Sequence, residues 1–137
     1  MLLGSSPLRL SFAGGGTDLK EYYENFEGSV VSTAINHFTY VIVTPRQDNS
    51  FQVFSSDFQV HFKPTKYNEL KSEHGTELAV TVVKSLDFKD GVNLMLSSEV
   101  EPGSGLGASS SLAVNLVKTI SALKKEKMNN EEIAENA

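Results

Sequence analysis

The chain has 137 residues, a formal net charge of -5, 39% apolar and 21% charged residues, and no cysteine. That length suits one domain with a real core, and the balance excludes a disordered chain, a disulfide-stapled fold, a thiolate metal site and a basic nucleic-acid surface. No apolar run approaches the roughly 20 residues of a membrane span and no signal peptide opens the chain, so a soluble, cytoplasmic α/β domain without a membrane partner is expected.

Leu8 to Ala13 alternates apolar and polar residues and reads as a strand running into Gly14-Gly15-Gly16. Thr17 or Asp18 is placed to cap a short helix through Leu19–Tyr23. The β-branched segment Ser29–Ile35 and the segment Thr39–Thr44, closed by Pro45, predict two more strands. Phe51–Phe54 and Val60–Phe62 predict a hairpin pair, with polar turn residues between them. Glu77–Leu86 has helical spacing through Leu78, Val82 and Leu86, and Val92–Leu96 predicts a strand. The clearest helix follows, with Leu112, Ala113, Leu116, Val117, Ile120 and Leu123 on one stripe and lysines near its end. Asn129 or Asn130 then caps a final helix that carries Glu131 and Glu132 in its first turn.

Six of the ten glycines fall in two loops, Gly14–Gly16 and the Gly103–Gly107 segment. Such clustering needs a backbone or ligand reason, because glycine loses the most conformational freedom on folding. The second loop, Pro102 to Ser111, lies between a strand and a strong helix, where free backbone N–H groups meet the positive helix end and suit an anion. Serine hydroxyls there can cap the helix, bind phosphate or coordinate Mg²⁺. No lysine makes it a Walker loop, its glycine spacing is not the dinucleotide fingerprint, and no protein-kinase lysine strand lies nearby. The plain alternative is a flexible turn with a serine-capped helix.

In the first loop, Arg9 on a strand precedes Thr17 and Asp18, and such polar groups at a strand end can grip a small polar ligand. The plain alternatives are a helix cap for Asp18 and a surface ion pair for Arg9. His37, His61 and His74 lack helical ligand spacing, so ordinary surface or sheet positions are expected rather than zinc. Tyr22 and Tyr23 could line a sugar pocket, with one of them in the core an equal reading; the acidic tail reads as a solvated helix face.

Taken together, Ser-Pro-Leu-Arg-Leu-Ser-Phe-Ala-Gly-Gly-Gly-Thr-Asp-Leu and the later Pro-Gly-Ser-Gly-Leu-Gly-Ala-Ser-Ser-Ser resemble the GHMP small-molecule kinases. Within that superfamily the sequence is most similar to the D-glycero-D-manno-heptose 7-phosphate kinases, which carry this Phe-Ala-Gly-Gly-Gly-Thr-Asp form. The resemblance implies an α/β (α+β) fold for residues 1–137, a two-layer mixed sheet with helices on one face and a left-handed βαβ connection, an exception to the usual hand. It also implies an ATP- and Mg²⁺-dependent sugar kinase that phosphorylates the anomeric hydroxyl of heptose 7-phosphate to the 1,7-bisphosphate. Nucleotide phosphates would lie on Gly103, Ser104, Gly105, Leu106, Gly107, Ala108, Ser109 and Ser110, with Ser109 on the metal. Asp18 would hold sugar hydroxyls, Thr17 would support that loop, and Arg9, nine positions before Asp18, would lie near the reacting hydroxyl.

Two departures from the family pattern are visible. Glu101 stands where a second proline is common and is expected to point to solvent, and Ala108 stands where a serine is common but keeps its N–H. The family's catalytic aspartate and C-terminal domain lie further along than residue 137, so the chain reads as an N-terminal portion, inactive alone and packed by that domain. A fucokinase-like sugar kinase and a non-catalytic nucleotide- or sugar-binding fragment are the alternatives.

Overall fold

The computed structural model describes residues 1–61, 63–73 and 75–137. Among these, six strands form one mixed sheet: β1 (Leu2–Ala13), β2 (Val31–Pro45), β3 (Ser50–Ser55), β4 (Val60–His61), β5 (Thr65–Lys66) and β6 (Val92–Ser98). The order is β1-β2-β6-β3-β4, with β5 beside β3. All neighbours pair antiparallel except β3 and β6, which run parallel and are joined through α2 (Glu77–Ser85). The remaining α-helices are α1 (Lys20–Tyr23), α3 (Ala108–Lys124) and α4 (Asn130–Glu135), and a 3-10 turn spans Tyr67–Glu69.

Helices α2 and α3 cover one sheet face. Alternation along β2 and β6 turns Val41, Val43, Val92, Leu94 and Leu96 inward, where they meet Val80 and Val83 of α2 and Leu116, Val117 and Ile120 of α3. Ile42 and Met95 take the opposite face; Met95 is exposed and Ile42 is half-buried. Phe51 anchors the far end, edge-on to Phe88 at 6.2 Å. Burying a side chain such as Leu116 completely contributes about 1.5–3 kcal/mol.

Several expected elements change shape. β1 starts at Leu2 rather than Leu8, because it is an edge strand and tolerates Pro7, which has no amide to pair. The two strands expected at 29–35 and 39–44 are one strand, β2. Its ladder with β1 passes from Pro7 opposite Phe38 to Arg9 opposite Ala34, so Leu8 alone faces three residues of β2. That break interrupts the periodicity without ending the strand. The expected hairpin is present, with Phe54 opposite His61; Phe62 lies outside the described residues. Asn129 caps α4, with its side chain on the Glu132 amide and Glu132 reaching back to the Asn129 amide.

Beyond the register break, β1 and β2 continue as an arm that ends in α1. Phe12, Leu19, Tyr22, Tyr23, Phe26 and Val31 are all exposed along it. Neither tyrosine is in the core, which corrects one of the two readings given for them. No helix of the described residues is long and apolar enough to cross a membrane.

Candidate functional site

The second glycine loop leaves β6 and enters α3 through three residues in the left-handed region, Gly103 (φ 85°), Gly105 (φ 76°) and Gly107 (φ 73°). Gly107 is the residue that precedes the helix, and no side chain caps it. The serine-capped helix of the sequence reading is therefore not formed, and the first-turn amides of α3 have no side-chain partner there. Ser109 and Ser110 are exposed on that turn, and so is Glu101, as expected.

A cavity of about 590 Å³ opens beside this loop. One wall is Gly103, Gly105, Gly107, Ala108 and Ser109. The others come from the end of β6 (Leu96, Ser98) with Val100 just beyond it, the end of β3 (Ser55) with the turn that follows (Asp57, Phe58), and α2 (Leu78, Thr81). Asp57 is fixed there, its Oδ1 accepting from the Ser98 amide at 3.0 Å and from Ser56 Oγ at 3.0 Å. The turn and α2 are both expected from the residue pattern, but their place beside the loop is not, because only the parallel crossover of β3 and β6 brings them there.

Arg9 meets the same loop from the other side. Its amide donates to the Leu106 carbonyl at 3.0 Å. Its side chain lies so close to Gly107 that a Cβ there would stand 2.9 Å from Arg9 Cγ. No ion pair of Arg9 is found among the described residues, so the surface salt bridge is not formed.

The first glycine loop is held by Thr17. Its Oγ1 lies 2.8 Å from the Gly14 carbonyl and 3.1 Å from that of Ser29, and accepts from the Ser29 amide at 3.1 Å. Asp18 Oδ1 accepts from the Gly16 amide at 2.9 Å. Leu19, without a side-chain cap, precedes α1, so neither Thr17 nor Asp18 caps that helix. The structure thus joins Arg9 to the second loop directly. Thr17 and Asp18 are linked to it through Arg9–Ala13, roughly 13 Å of strand.

Next to the site, Glu99 follows β6 and accepts from Tyr40 at 2.7 Å, from the Phe38 amide at 3.0 Å, and approaches His37 Nδ1 at 3.3 Å. The Tyr40 hydroxyl, then the Phe38 amide, holds the Glu99 carboxyl below its ordinary range. His37 and His61 are exposed strand residues, as expected; His74 lies outside the described residues. Among the described residues no group of three or more His, Asp or Glu could hold a metal ion.

Residues 73–137 match the family described as GHMP kinases N terminal domain. The chain is similar to the GHMP kinases. The chain is 32% identical over 124 residues to D-glycero-alpha-D-manno-heptose 7-phosphate kinase of Campylobacter jejuni, covering 82% of the chain and 35% of that protein. It is 30% identical to a galactokinase of Chloroflexus aurantiacus, over 96% of the chain and 35% of that protein. Its fold superposes with a TM-score of 0.85 on a D-glycero-D-manno-heptose 1-phosphate kinase from Bacteroides thetaiotaomicron, at 22% identity, over 96% of the chain and 45% of that structure. The chain spans about a third of the length of the curated relatives it matches.

Proposed function

We propose that this chain is the N-terminal portion of a GHMP kinase and forms the ATP site and part of the sugar site of an enzyme that phosphorylates the anomeric hydroxyl of D-glycero-D-manno-heptose 7-phosphate. The observation that carries the reading is the meeting of Arg9 with the left-handed glycine loop beside a cavity of about 590 Å³. Small-molecule sites range over roughly 300–1,000 Å³.

ATP fits the residues present. A Cβ added at Gly103 or Gly105 would meet nothing within 4 Å, so the loop faces open space that phosphates could fill. In this reading the amides of Gly103 to Ser110 hold the phosphates, and the base enters the cavity between Asp57, Phe58 and Thr81. Mg²⁺ would be held by Ser109 with phosphate oxygens and water, and it would neutralise charge on the transferring phosphoryl group. Arg9 would add positive charge beside the reacting oxygens, Asp18 would accept from sugar hydroxyls, and Thr17 would keep its loop on Ser29. Positioning and charge stabilisation are the main needs of phosphoryl transfer. The apolar arm is the surface we assign to a further domain of the kinase.

Galactose as the acceptor is a second reading, favoured by the galactokinase relatives, which match nearly the whole chain. The test is ATP turnover by the full-length protein on heptose 7-phosphate, galactose and fucose, with the product identified by ³¹P NMR. Turnover on heptose 7-phosphate giving a second phosphate signal at C1 supports the proposal. Turnover on galactose or fucose alone rejects it, and no ATP binding rejects the kinase reading altogether.

A further inference from the structure

Four polar side chains are buried between α3 and the sheet: Ser111, Asn115 and Thr119 on the helix and Thr39 on β2, none more than 9% exposed. Buried polar groups cost stability unless each finds a partner, and an apolar residue would fill the same volume without that demand. All four are bonded. Asn115 Nδ2 donates to the Thr39 carbonyl at 3.0 Å, and Thr119 Oγ1 donates to Asn115 Oδ1 at 3.2 Å.

Ser111 sits at the most consequential point. Its Oγ lies 2.9 Å from the Pro7 carbonyl, 3.2 Å from the Ser6 carbonyl and 3.2 Å from Thr39 Oγ1. Those two carbonyls belong to the last residues of β1 before its register with β2 breaks. Two positions beyond Pro7 is Arg9, whose amide binds Leu106 and whose side chain lies on Gly107. The ring closes through the helix, since the Ser111 amide donates to the Gly107 carbonyl at 2.9 Å.

We propose that Ser111, supported by Thr39, is a positioning residue: its hydroxyl clamps β1 at the register break and thereby sets Arg9 against the glycine loop. The catalytic consequence rests on the kinase reading above, whereas the clamp itself does not. One hydroxyl proton serves one carbonyl at a time. Ser111 donates to Pro7 while Thr39 donates to Ser111 or to the Ser6 carbonyl. Without the Ser111 hydroxyl, the Pro7 carbonyl loses this partner, and the strand is free to shift just where Arg9 must be held.

The experiment compares the full-length protein with Ser111→Ala, Arg9→Ala and the double variant, by kinetics and by hydrogen exchange. In Ser111→Ala the Arg9 amide is expected to exchange about tenfold faster, while the amides of Val53 and Leu94 keep their protection. Turnover is expected to fall about tenfold with the KM for ATP within about twofold, and Ser111→Ala adds no further loss in the Arg9→Ala background. An unchanged Arg9 amide, faster exchange across the whole sheet, or an equal Ser111→Ala penalty with and without Arg9 overturns the proposal. If the parent phosphorylates no sugar, the kinase reading fails, and the Arg9 amide alone decides the clamp. If Ser111→Ala does not fold, Thr39→Val carries the same measurements.

Discussion

Gly107→Ala and Gly103→Ala are the same chemical change in the same backbone region, yet their consequences are expected to differ. Both residues have φ between 70° and 90°, where an L side chain costs about 1–2 kcal/mol. In the full-length protein each variant should therefore lose only a few degrees in Tm. The difference is in the space around the new methyl group. At Gly103 it meets nothing within 4 Å, and because Gly103 lines the cavity the expected effect is a raised KM for ATP. At Gly107 it stands 2.9 Å from Arg9 Cγ and 3.2 Å from Nε, closer than carbon contacts allow, and Arg9 must swing away. A displacement near 1 Å at a reacting centre can cost about 100-fold in turnover. Gly107→Ala should accordingly lower kcat by about 10- to 100-fold with a smaller change in KM. Steady-state kinetics on the full-length protein, with Tm from thermal melts, measures both. If Gly107→Ala keeps the parent kcat and raises KM as Gly103→Ala does, contact with Arg9 is not what Gly107 provides.

Ser109→Ala should raise the Mg²⁺ concentration needed for half-maximal turnover, and equal activity of the two proteins at limiting Mg²⁺ would reject the metal assignment. Leu116→Ala removes a side chain with no exposed surface and should destabilise by about 3 kcal/mol in urea unfolding; a loss below about 1 kcal/mol would mean the site collapses readily. Glu99 ionises more easily when folded than its ordinary value of 4.5, so its contribution is complete above that pH. The contribution is lost as the pH falls from 4.5 through the lower folded value. Glu99→Gln should flatten that acid limb in pH-dependent melts, and an unchanged limb would refute the assignment.

The helices were the most legible part of the sequence, because α2 and α3 carry apolar stripes over several turns and need no distant partner to be seen. The glycine loops were also legible, since their residues are consecutive. What escaped was set by pairing at a distance. Pro7 and the segment Ile35–His37 look like strand ends, yet Pro7 lies on an edge and the extra residues of β2 are absorbed in a break opposite Leu8. Asp57 and Thr81 carry no motif, and the cavity they line exists only because β3 runs parallel to β6. The buried hydroxyl of Ser111 looked like part of a serine run; its partners lie a hundred residues earlier in the chain.

β1 is a twelve-residue strand on the sheet's edge, with Leu3, Leu10 and Phe12 exposed. Such an edge can template pairing with a second chain. Here it is broken midway, because Pro7 has no amide and the Arg9 amide is taken by Leu106. The kink that aims the arginine therefore also blunts the strand against self-association. Straightening it would cost the protein its protection from aggregation along with the aim of Arg9.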